Sequence, residues 1–173
     1  MSTPPFDPAD DADLAVLREQ LGRPPRGVLG IAARCVCGNP TVVATAPRLP
    51  DGTPFPTFYY LTHPGATAAM STLEAEQVMK QLSDELAADE ELAAAYLRAH
   101  EAYLRDRAPY GDVPEIAGIS AGGMPTRVKC LHALAGHALA AGPGVNPIGD
   151  RALALSDWSP ERCTCAHPGG RTP

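Results

Sequence analysis

Proline and glycine decide where this chain can hold regular structure. The 173 residues include 19 prolines and 16 glycines, and these fall in clusters. Proline fixes φ and removes an amide donor, and glycine accepts positive φ, so each cluster ends an element or turns the chain. Gly22 closes a first helix predicted over residues 8–21, with Asp7 as its cap, Pro8 in its first turn and Leu14, Leu17 and Leu21 as its apolar stripe. Arg23-Pro24-Pro25-Arg26 is a stiff connector. Gly38-Asn39-Pro40 separates a strand at 28–37 from its partner at 41–46. Pro50-Asp51-Gly52 turns the chain into a third strand at 55–62, whose entry Pro54 and Pro56 restrict.

Helical periodicity takes over beyond the third strand. Ala75, Val78, Met79, Leu82 and Leu86 share a stripe over residues 72–88, and Leu92, Ala95, Tyr96, Ala99 and Tyr103 share another over 90–107. Pro125 opens a third helix, ended by Gly142-Pro143-Gly144, and Asn146-Pro147 caps a short one running to Leu155. The expected fold class is α+β, a small antiparallel three-stranded meander packed against three to four helices. An N-terminal helix (1–22) precedes one domain (23–157). The Pro/Gly/Cys tail (158–173) is loose unless something pins it.

Composition narrows the function. Hydrophobic residues make up 45% of the chain, enough for a real core. Twenty acidic residues face 14 basic ones, a net charge of −6, which argues against broad binding of nucleic acid through phosphates. No apolar run reaches the roughly 18–20 residues that span a bilayer. Residues 1–13 are acidic and proline-rich, unlike a secretory signal, so the expected location is the cytoplasm.

Five cysteines in such a chain point to metal ligation, catalysis or burial rather than disulfides. Residues two apart on a strand share a face, so Cys35 and Cys37 can offer two thiolates to one ion beside a tight turn. The third ligand is expected to be Cys130, on the helix opened by Pro125. On that helix Cys130 and His132 would lie about 160° apart, so only one of them could reach a given ion. His63, at the end of the third strand, or Cys165, from the tail motif Cys163-Thr164-Cys165-Ala166-His167, would complete the set. Zinc is the expected cofactor for mixed cysteine and histidine, and a [4Fe–4S] cluster is the alternative if every ligand is cysteine. Four protein ligands imply a structural centre, and three plus water a catalytic one.

A second reading needs no metal. Gly122 and Gly123 lead through Met124 into Pro125, Arg127 and Lys129. A helix starting there would present free N–H groups, a positive dipole end and a bidentate guanidinium, a site for a small phosphorylated molecule. Arg48 would close that pocket from the opposite side. A partner-binding adaptor with no chemistry is the third class. Glu85, Glu90, Glu91 and Glu101 read as solvated helix faces.

The stretches Leu21-Gly22-Arg23, 34–40, 45–64, 122–139 and 142–150 together resemble the actinobacterial family catalogued as domain of unknown function 501. They cover most of the chain between Leu21 and Leu155. The family has no established activity, so the resemblance assigns no role to any residue.

Overall fold

The structure, a computed structural model, describes residues 4–169. Three strands, β1 (Val28–Arg34), β2 (Pro40–Thr45) and β3 (Tyr59–Leu61), form an antiparallel sheet in the order β1-β2-β3. Ile31 pairs with Val43, and Val43 with Tyr60. The expected meander is therefore present, although its third strand is shorter than 55–62 because Pro54 and Pro56 interrupt the approach. β2 is central and every one of its residues is buried.

Helix α1 (Asp11–Leu21) lies across the sheet, where Leu17 packs with Ile31 and Val43. Its cap is Asp10 rather than Asp7. Asp10 and Asp13 exchange side-chain bonds with each other's backbone N–H in a capping box. Asp7 pairs instead with Ile31 through two backbone hydrogen bonds of 2.7 and 2.9 Å, adding a bridge to the outer edge of β1. Arg34 grips the buried Asp13 carboxylate in a fork, with N–O distances of 2.7 and 3.0 Å.

Among the described residues six helices are present, more than the three to four expected. The stripe assigned to 72–88 is split between α2 (Pro64–Ala75) and α3 (Val78–Ala88), and Gln77 at φ 65° makes the break. α2 starts early because Pro64 suits the first helical position and the His63 ring accepts the free N–H groups of the first turn. α4 (Glu90–Arg107) is capped by Asp89. Near its end the buried Arg107 guanidinium donates to the carbonyls of Pro56, Ile116 and Ile119, which ties the loop before β3 to the loop after α4.

The helix expected from Pro125 does not begin there. Gly122 (φ 65°) and Gly123 (φ 95°) turn the chain, and their carbonyls accept the N–H groups of Lys129 and Arg127. That local bonding keeps 122–129 as a turn, and α5 (Leu131–Ala141) starts only after Cys130. α5 runs through the main core, with Leu131, Leu134 and Ala135 packed among Phe58, Tyr59, Tyr96 and Tyr103, and α6 (Pro147–Leu155) adds Ile148 and Ala152. Among the described residues no helix is long and apolar enough to cross a membrane.

Candidate metal centre

The turn between β1 and β2 is closed by Cys35 N–H to the Asn39 carbonyl and by Gly38 N–H to the Cys35 carbonyl, both at 2.8 Å. β1 ends at Arg34 rather than at 37 as expected, so Cys35 and Cys37 lie in this turn, and the turn's own hydrogen bonds, not strand alternation, bring both sulfurs into one group. The tail then returns over this turn. Val36 N–H donates to the Pro160 carbonyl (3.1 Å), and the Asn39 side-chain amide donates to the His167 carbonyl (3.0 Å). Residues expected to be loose are thereby held against the hairpin, up to the last described position. The expectation for 170–173 lies outside the described residues.

This return brings Cys163 and Cys165 to Cys35 and Cys37. The four sulfurs all lie within 4.8 Å of one another, and Cys37 and Cys165 are 3.6 Å apart. All four are free thiols. They form a four-cysteine group able to hold a metal ion.

The surroundings shift the cluster's thiols in opposite directions. Burial pushes the Cys37 thiol up, but the backbones of Gly169 and Asn39 and the thiols of Cys163 and Cys165 outweigh it and bring it down to about 7. Burial, with the neighbouring Cys37 thiol, raises the Cys35 thiol. Burial, aided by Cys37, Cys163 and Cys35, pushes Cys165 up to about 12. A divalent ion reverses this by supplying the missing positive charge.

His63 sits beside the centre, outside the group of four. Its Nδ1 accepts from the N–H groups of Gly65 (3.0 Å) and Ala66 (3.4 Å), so the proton of the neutral ring is on Nε2. Nε2 faces the Cys165 sulfur at 3.2 Å, and the ring packs on Trp158. Burial lowers the pKa of His63 and keeps it neutral. The ring expected as a metal ligand thus has its Nε2 within hydrogen-bonding reach of the Cys165 sulfur.

Cys130 does not join Cys35 and Cys37. It caps α5 in extended conformation and falls in a separate group with Glu74 and His132, whose ligand atoms also lie within 4.8 Å of one another. Helical azimuth does not separate Cys130 from His132, because Cys130 precedes the first helical residue. Glu74, near the end of α2, joins them although the sequence does not single it out. Its only sequence signal is a carboxylate facing outward at a helix end.

The supposed anion pocket is also rearranged. The α5 N-terminus already meets a carboxylate, since Leu131 N–H donates to Glu74 Oε1 at 2.8 Å. Arg48 is engaged by the Gly52 carbonyl and by Glu115, both at 2.8 Å. Arg127 and Lys129 are exposed and lie in the turn before the helix.

A model of the family described as "protein of unknown function (DUF501)" matches residues 31–154. The chain belongs to this family. The match takes in Cys35, Cys37, His63, Glu74, Cys130 and His132, whereas Cys163 and Cys165 lie beyond it. No curated protein and no solved structure gives a significant match.

Proposed function

We propose that this is a zinc-binding domain in which Cys35, Cys37, Cys163 and Cys165 hold one ion that clasps the C-terminal segment onto the β1–β2 turn. The observation that carries the reading is the spacing of the sulfurs. A tetrahedral ion with bonds of about 2.3 Å needs sulfurs about 3.8 Å apart, and the Cys37–Cys165 separation is 3.6 Å within a group no wider than 4.8 Å. An iron–sulfur cubane places four irons between its thiolates and needs a wider ring of sulfurs, so the spacing favours a single ion over the cluster. Four protein ligands leave no position for water, so the centre is structural: it fixes the fold and does not itself react.

Metal binding and folding are linked in such a centre, because the unfolded chain holds no preformed site. The test is elemental analysis and absorption spectroscopy of anaerobically purified protein, beside Cys37→Ser and Cys163→Ser. The expected result is colourless protein containing zinc, with both variants losing one ion per chain and melting at lower temperature. A brown, iron-containing protein, or unchanged metal content in both variants, refutes the reading.

A further inference from the structure

Glu74, Cys130 and His132 make a cluster of different character at the end of α2 opposite His63. The three come from two elements. Glu74 ends α2, and Cys130 and His132 flank the first residue of α5. His132 Nδ1 lies 3.1 Å from Glu74 Oε1, and its Nε2 lies 3.1 Å from Ser71 Oγ. The histidine and glutamate side chains are 27% and 26% exposed, so the cluster is open to solvent.

Two potential anions, a thiolate and a carboxylate, converge here on one imidazole, and something positive must sit among them. A divalent ion can supply that charge, and with a thiolate, a carboxylate and a neutral imidazole its two charges are balanced.

We infer that Glu74, Cys130 and His132 form a second, open site for a zinc-type divalent ion, with a coordination position left for water or a small ligand. The geometry supports each ligand. Tetrahedral bonds of about 2.0–2.1 Å from nitrogen and oxygen set those atoms about 3.3 Å apart, close to the observed 3.1 Å. Ser71 fixes the ring by taking Nε2–H and leaving Nδ1 for the ion, and Leu131 N–H steadies Glu74 Oε1. Three protein ligands and one free position are the pattern of zinc that binds and polarises a small molecule. Cys130 binds as the thiolate, and its thiol proton passes to solvent.

The test follows Cys130 alone, and its Glu74→Gln arm separates protection by this site from protection gained when the four-cysteine centre fills and tightens the fold. Chelator-stripped full-length protein is treated with iodoacetamide, with and without zinc chloride, and alkylation of the Cys130 peptide is followed by mass spectrometry. Zinc should protect Cys130, and Glu74→Gln should abolish most of the protection. Ser71→Ala, which touches no ligand position, should shift the protecting zinc concentration upward by about 10–100-fold. Equal alkylation of wild-type Cys130 with and without zinc overturns the inference and leaves a metal-free thiol–imidazole pair. Full protection retained in Glu74→Gln overturns the three-ligand site.

Discussion

His63 Nε2 points at the Cys165 sulfur across 3.2 Å, and the orientation is set from the far side of the ring, where Nδ1 accepts two backbone N–H groups at the start of α2. One histidine thus caps a helix and steadies a cysteine supplied by the C-terminal segment. A sulfur that accepts an N–H bond is a better-stabilised thiolate, and an oriented one costs less to bring to a metal.

Replacing His63 with phenylalanine keeps the contact with Trp158 but removes both hydrogen-bonding roles. The expected outcome is a zinc affinity lower by about 10–100-fold, with the ion still bound at high zinc. Competition with a chromophoric chelator measures this. Complete loss of the ion would instead make His63 a ligand.

In chelator-stripped protein the four thiols should differ in reactivity. Cys37, brought down to about 7 by its hydrogen-bond donors, should be alkylated first at pH 7.5, and Cys165, pushed up to about 12, should be slow. Timed alkylation read by peptide mass tests the order. Zinc should then suppress the reaction at all four together.

His137 predicts how stability responds to acid. It is fully buried, parallel to Tyr59, and its Nδ1 lies 3.0 Å from the Asn146 amide nitrogen. Asn146 Oδ1 is taken by Gly149 N–H, so the nitrogen must donate to His137, and a charged ring would clash with that donor. Burial pushes the His137 pKa down from 6.5 to about 4. The unfolded chain therefore binds a proton that the native state refuses, and stability falls as pH drops from about 6.5 to about 4, by about 3 kcal/mol in full. His63 and His100, also lowered by burial, act in the same direction. His132 acts oppositely: raised to about 9 by Cys130 and Glu74, it stabilises below 6.5 and its contribution fades as pH rises through 9. Urea titrations from pH 8 to 4 should show the acid loss, and His137→Gln should flatten part of it.

Gly149 is where α6 meets α5. A Cβ there would lie 2.2 Å from the Leu134 carbonyl oxygen and 2.8 Å from the Ala138 methyl, and neither can move without shifting α5. Gly149→Ala, favourable for helix propensity alone, is therefore expected to destabilise the fold by about 1–3 kcal/mol. Chemical denaturation checks the sign, and a stabilised variant would mean that the helices are free to part.

The local code of this chain is legible without its structure. Gly38-Asn39-Pro40 and Pro50-Asp51-Gly52 mark turns by their chemistry alone, because a turn depends on neighbours a few residues away; strand alternation does not place Cys35 and Cys37, since β1 ends at Arg34 and the turn's hydrogen bonds hold both residues. Pro125 and the basic residues after it have the chemistry of a helix start, but the Gly122 and Gly123 carbonyls accept the N–H groups of Lys129 and Arg127 and hold the segment as a turn. What only tertiary structure decided is which distant groups meet. Cys165 reaches Cys37 from 128 positions away, and Glu74 reaches His132 from 58. Periodicity carries no information over such separations. They are settled by how α2, α5 and the tail pack on the sheet, and that packing sends Cys163 and Cys165 to the hairpin and Cys130 to Glu74.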